Sequence, residues 1–414
     1  MWNKSSMKQL LYASLILILI FIGCSKKGTT VTEPTNKIPD AAYIDLNGFQ
    51  QIIRGFGGVN MPGWIDDMTP DMVNKAFGTG SGRIGLTILR IRVPYDETQF
   101  NLEVPTAQLA KSLGAIIIAS PWTPPPYMKT NNDIVGGQLI EASYASYATH
   151  LKAFIDYMAN DSAPLYAISV QNEPDANVNY ESCYWTASQL LNFVKYYGPA
   201  VGNNLFVPES MDFNHSLSDP ILNDPIAIHN ILFIGGHIYG GGLTSYPLAV
   251  SKGKEVWMTE HLVVNTDWQG AIGTALEMND CMNAGMNAYV WWFIRRYYGP
   301  IDDNGNVTKR GFVMSQFARF IRPGYYKVDA TASPQSDVYV TAYKSGSKIV
   351  IVAINDGYTV IDQQFILQNG TASVFTPYVT SSTKDCLQES DITVTGDSFT
   401  ASLDSSSVTT FVSK

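Results

Sequence analysis

The chain is short of charge. Only 15% of its 414 residues are Asp, Glu, Lys or Arg, against 45% hydrophobic. That balance excludes a disordered chain, which cannot bury enough apolar surface to fold. Positive charge is scarcest, with 27 Lys and Arg against 36 Asp and Glu, a formal net charge of −9. With no basic stripe to meet a phosphate backbone, nucleic acid is excluded as a partner. There are four Cys and no CxxC pair. One disulfide among Cys183, Cys281 and Cys386 stays open, but a metal-binding framework is not indicated. The five His are scattered without an HExxH. Asp302-Asp303-Asn304-Gly305-Asn306 lacks the ligand pattern of a calcium loop and reads as a turn. No metal and no cofactor are therefore expected. No period of 20–50 residues recurs, so a solenoid is excluded, and past residue 24 no stretch is apolar enough to span a bilayer.

Apolar runs supply the architecture. Eight recur at 55–58, 89–93, 115–119, 165–170, 204–207, 231–234, 256–259 and 288–293. They are continuous rather than alternating, as in parallel strands covered on both faces. Helical patterns lie between many of them, at 144–158, 186–197 and 268–284. Order, number and span predict an eight-stranded (β/α)8 barrel over 55–322, an α/β fold. After Arg322-Pro323-Gly324 the texture becomes short, β-rich and turn-punctuated, which predicts an all-β side domain of sandwich type over 323–414. Residues 41–54 read as strand, turn and strand around Asn47-Gly48 and are expected to join that domain, making it discontinuous. Residues 1–24 carry Lys4 and Lys8 before an apolar stretch ending in Gly23-Cys24, a lipobox-like leader that predicts lipidation at Cys24. Plain secretion and a retained anchor stay open. Residues 25–40 read as a flexible tether. The expectation is an exported bacterial lipoprotein, periplasmic or on the cell surface, touching membrane only through lipid.

Two carboxylates carry the chemistry. Glu173 follows the apolar run 165–170 inside Gln171-Asn172-Glu173-Pro174, and Glu260 ends Val256-Trp257-Met258-Thr259. A carboxylate at the mouth of an apolar strand is costly to bury unpaired, so it needs a reason. In a barrel, catalytic residues gather at the C-terminal strand ends, and by count these two end strands four and seven. A retaining glycosidase requires such a pair about 5–5.5 Å apart, one protonating the leaving oxygen and one attacking the anomeric carbon. The aromatic content, 12% with 23 Tyr and 8 Trp, suits sugar platforms and large cores alike.

The motifs Gly55-Phe56-Gly57-Gly58, Pro121-Trp122-Thr123-Pro124-Pro125, Ser169 to Pro174, His237-Ile238-Tyr239-Gly240, Met258-Thr259-Glu260-His261 and Trp291-Trp292-Phe293-Ile294-Arg295-Arg296-Tyr297-Tyr298-Gly299-Pro300 resemble glycoside hydrolase family 30. Within it they resemble the bacterial glucuronoxylan xylanases. The resemblance covers everything after the tether. It implies that Glu173 is the general acid/base, Glu260 the nucleophile, and Asn172 a partner of the sugar 2-hydroxyl. It places Tyr239 near the nucleophile, His237 as support for that loop, and Trp122 and Trp292 as sugar platforms. Arg296 and Tyr298 match residues that grip the carboxylate of a methylglucuronic acid side group.

Two positions depart from the pattern: Phe293 stands for a common Tyr, and Asn265 for a common Ser. Each removes or alters one hydrogen bond to that acid. The resemblance thus implies a retaining endo-β-1,4-xylanase on glucuronoxylan, and the chain is expected to be a monomer. A xylanase without a strict glucuronate requirement, another family 30 β-glycosidase such as a β-1,6-glucanase or glucosylceramidase-like enzyme, and a non-catalytic glycan-binding surface lipoprotein are the alternatives.

Overall fold

The computed structural model describes residues 37–202 and 204–414. The leader, the proposed lipidation site Cys24 and most of the tether lie outside these residues. Eight strands close a parallel barrel in sequence order: β2 (Gly55–Val59), β3 (Ile88–Val93), β4 (Ile116–Pro121), β5 (Ala167–Ser169), β6 (Leu205–Ser210), β7 (Ile231–His237), β8 (Glu255–Glu260) and β9 (Ala288–Phe293). All eight predicted runs are there. The outer helices include Tyr144–Asn160, Ala187–Tyr196 and Trp268–Asn283. Thr186 caps the second and Asp267 the third, each accepting a backbone N–H of the first turn.

The glycines of β2 are packing residues. A Cβ on Gly57 would overlap the Ile88 carbonyl, and one on Gly58 would run into Ile294. Only glycine lets β2 sit this close to its neighbours.

The remaining strands make one ten-stranded sheet. They are β1 (Ala42–Ile52), β10 (Tyr326–Ala330), β11 (Val338–Ser345), β12 (Lys348–Asn355), β13 (Ile361–Gln368), β14 (Val374–Ser381), β15 (Leu387–Gln388), β16 (Ile392–Thr393), β17 (Ser398–Leu403) and β18 (Ser407–Ser413). The sheet doubles over a core that includes Ile44, Phe365, Phe375, Phe399 and Phe411. Its other face packs on the barrel helices, and Tyr343, Val350, Val352 and Val408 belong to the barrel's own core.

The region around Asn47-Gly48 is not a hairpin. β1 is one strand, antiparallel to β10 and parallel to β13, with a register shift between Asp45 and Phe49. The Asp45 carboxylate accepts the Asn47 N–H at 2.9 Å. This local turn bulges the strand without reversing it.

Cys183, Cys281 and Cys386 are buried and free. The segment after Asp302 is a turn, its carboxylate accepting the N–H groups of Asn304 and Asn306 at 2.9 and 2.8 Å.

Candidate active site

The C-terminal mouth of the barrel opens into a cleft of about 640 Å³, lined by Trp64, Trp122, Tyr180, Tyr239, Trp292 and Phe293 among others. Glu173 and Glu260 both face it. One carboxylate oxygen of each, together with a ring nitrogen of His237, lie within 4.8 Å of one another. Both acids are only 5% exposed.

Glu260 ends β8, where Arg90 Nη1 donates to it at 2.6 Å and the Tyr239 hydroxyl at 3.0 Å. Burial pushes the Glu260 carboxyl up, against the pull of His237 and Arg90. The Arg90 guanidinium, bound to one carboxylate oxygen, favours the charged form of Glu260. Burial also holds the Tyr239 phenol far above its ordinary value, so it stays a donor.

Glu173 lies four residues past β5 in the left-handed region, with φ +44°. Its backbone N–H donates to the Glu209 carbonyl at 2.9 Å. Its carboxyl has no guanidinium. It faces His237 Nδ1 at 2.9 Å and receives the Tyr180 hydroxyl at 3.3 Å. His237 therefore touches Glu173 directly, beyond the loop support expected of it.

Asn172 is buried beside this pair, its Oδ1 accepting from Arg90 Nη2 at 2.7 Å. Arg90 thereby holds the amide oxygen, leaving the Nδ2 donors for a ligand. Trp122 is 2% exposed, its ring tilted against those of Trp64 and Trp292 at 5.8 Å each, with the Arg90 guanidinium 4.8 Å above it. It forms the floor of the cleft, and Trp292 with Phe293 forms a wall.

Arg296 and Tyr298 follow that wall. Tyr298 is nearly buried, its phenol raised to about 12 by burial and drawn back by Arg296. Arg296 is half-exposed, and among the described residues its guanidinium meets no carboxylate within ion-pair distance. Its neighbour Arg295 pairs with Asp66 at 3.5 Å. Asn265 is turned aside: its Oδ1 accepts the Asp267 N–H at 3.2 Å and its carbonyl accepts from Arg310 at 2.6 Å.

Sequence reading missed four members: Arg90, Glu209, Tyr180 and Trp64. Arg90 and Glu209 carried one faint signal, a charge inside an otherwise apolar strand. The spacing of Glu173, His237 and Glu260 would admit a cation. Arg90 and a His237 raised to about 9 already supply that positive charge, so the residues do not fit a metal site.

Comparison with known proteins agrees with this geometry. Residues 88–240 match the model of the Glycosyl hydrolase family 30 TIM-barrel domain. The chain is 42% identical over 388 residues to Glucuronoxylanase XynC of Bacillus subtilis, covering 90% of this chain and 91% of that one. It superposes with TM-score 0.86 on the family 30 subfamily 8 xylanase Xyn30A of Clostridium acetobutylicum, at 42% identity, over 91% of this chain and all of that one. A family 30 endoxylanase of Clostridium papyrosolvens C71 gives TM-score 0.84 and 38% identity over 90% of this chain and 100% of its own.

Proposed function

Since the chain belongs to glycoside hydrolase family 30, we propose that it cleaves β-1,4-xylosidic bonds of glucuronoxylan by double displacement. The observation that carries this reading is the pair Glu173 and Glu260, oxygens within 4.8 Å at the floor of an aromatic cleft. That approach suits the direct attack of a retaining enzyme and is too close for an intervening water.

In the first step Glu260 attacks the anomeric carbon while Glu173 gives its proton to the departing glycosidic oxygen. The charge of Glu260 disappears into the ester. In the second step Glu173 takes a proton from water, the hydroxide oxygen bonds to the anomeric carbon, and the ester breaks to restore both residues. Tyr239 and Arg90 hold Glu260 by one oxygen each, which aims it. The Nδ2 of Asn172 is placed to donate to the sugar 2-hydroxyl, a bond that strengthens as the oxocarbenium-like state forms.

The unpaired Arg296 beside Tyr298 supports recognition of the methylglucuronate carboxylate, since a guanidinium grips that group through two parallel hydrogen bonds. A second reading has its own support. Phe293 brings no hydroxyl to the wall and Asn265 spends its Oδ1 on its own loop, so this enzyme tolerates undecorated xylan better than one with both bonds. Hydrolysis of glucuronoxylan beside the same polymer stripped of glucuronate, with products read by mass spectrometry, separates the two. Cleavage confined to the decorated polymer supports Arg296 as the anchor. Equal cleavage removes the glucuronate requirement, and no cleavage of either removes the xylanase.

For the leader we propose lipidation of Cys24 and attachment to a bacterial membrane. Labelled palmitate should enter the expressed full chain and be lost from Cys24→Ser. Unlabelled wild-type protein recovered in the medium would favour plain secretion.

A further inference from the structure

A third carboxylate lies beneath the first two. Glu209, at the end of β6, is fully buried and stands in the left-handed region with φ +54°. A non-glycine residue held there costs on the order of 1–2 kcal/mol and persists where surrounding structure enforces it. Glu173 shares that conformation, and its N–H donates to the Glu209 carbonyl, so the two strained residues are linked through the backbone.

The Glu209 side chain is also unusual. Oε1 lies 3.0 Å from Arg90 Nη2 and 3.8 Å from His237 Nε2, yet neither oxygen accepts a well-aligned hydrogen bond from the described residues. Burial pushes this carboxyl up, but Arg90 and His237 outweigh it and hold it at about 2. Glu209 itself does not line the cleft.

His237 is enclosed by acids. Nδ1 meets Glu173, while Nε2 faces Glu209 at 3.8 Å and Glu260 at 4.0 Å. The remaining polar neighbours are Arg90, bound to Glu260, and Tyr239, whose hydroxyl points to Glu260. With Glu173 carrying the proton its role requires, three groups are left besides Arg90: Glu209, Glu260 and His237. The buried charges then balance only if His237 is a cation, two positive against two negative.

We propose that Glu209 is a positioning residue of the proposed glycosidase: its fixed charge keeps His237 cationic and Arg90 aligned, so that Glu173 and Glu260 stay in unlike protonation states. His237 then donates to Glu173 through Nδ1–H, and Arg90 spans from Glu209 to Glu260. Without the Glu209 charge the cluster holds one surplus positive charge, and His237 gives up its proton at a lower pH.

The proposal rests on the glycosidase reading, but its test needs no turnover. With five His in the chain, labelling histidine with ¹⁵N makes each ring nitrogen followable by NMR, and His237→Gln assigns the signal. The wild-type His237 signal should remain cationic at neutral pH and titrate at about 9. In Glu209→Gln the midpoint should fall by about one pH unit or more, the alkaline limb of kcat/KM should fall with it, and Glu209→Asp should restore part of both. A His237 neutral at pH 7 in the wild type overturns the proposal, as does an unchanged midpoint in a folded Glu209→Gln. If that variant does not fold, the wild-type titration decides alone. A cationic His237 in a protein that hydrolyses no xylan would sink the function and leave the charge cluster standing.

Discussion

Glu260 and Glu173 look alike in sequence, and their neighbours separate them. Glu260 is bound by a guanidinium and a phenol, Glu173 by an imidazole and a second phenol. Different consequences follow from removing each. Glu260→Gln should lower kcat by on the order of 10⁴-fold with an unchanged thermal midpoint; retained activity in contaminant-free protein would displace Glu260 as nucleophile. Glu173→Ala should lose roughly 10²–10⁴-fold on xylan but far less on an aryl xyloside whose leaving group needs no proton. Azide should then rescue it as a β-xylosyl azide, because azide attacks the ester from the face water uses. An α-azide would contradict the assignment. Arg296→Ala should weaken decorated xylan about tenfold, as expected for lost hydrogen bonds to a charged group. The two acids were legible because Glu260 ends an apolar strand and Glu173 follows another by four residues. Arg90 was not: its partners lie 82 and 170 positions away, and a charge within a strand does not say what it faces.

At the scale of elements, continuous apolar runs betray parallel strands because both faces are buried, and all eight were readable. The sheet was less so. In β18, Ser407, Thr409, Thr410 and Ser413 are all buried, a composition that reads as surface. Tertiary partners make it tolerable: Thr410 Oγ1 donates to the Gln316 carbonyl at 2.7 Å and Ser413 Oγ accepts the Ile349 N–H at 2.9 Å. The glycine motif of β2 was legible as a marker but its cause is steric. Gly57→Ala should lower the thermal midpoint by several degrees, because the obstructing atom is a backbone carbonyl that cannot swing away. An unchanged midpoint would show that β2 can shift.

β10 offers a pH test. Lys327 is 4% exposed, and burial lowers its amine to about 8. Its folded value lies below its unfolded one, so the unfolded chain binds more protons between about pH 8 and 10.5, and stability rises with pH through that window. Lys327→Met should therefore stabilise by ~1–3 kcal/mol at pH 7, with the gain fading towards pH 10. A gain constant with pH would assign the effect to packing.

Across the whole molecule, barrel and sheet share a buried boundary. Trp268 donates to Ser406 Oγ at 2.7 Å, Gln316 to Thr380 at 2.7 Å, and barrel and sheet side chains interleave in one core. Neither part would keep its apolar face covered alone, so calorimetry should give a single transition. The fold class was readable from the order of runs; this union was not, since no local pattern encodes which helix meets which sheet.

Everything from the paired acids to the closed barrel converges on one event, attack by Glu260 on the anomeric carbon followed by attack of water from the opposite face, the one the leaving group vacated. Proton NMR of glucuronoxylan in the first minutes of hydrolysis reads it directly. The new reducing ends should appear first as the β-anomer and only later mutarotate. First appearance of the α-anomer, or no cleavage at all, would contradict the account.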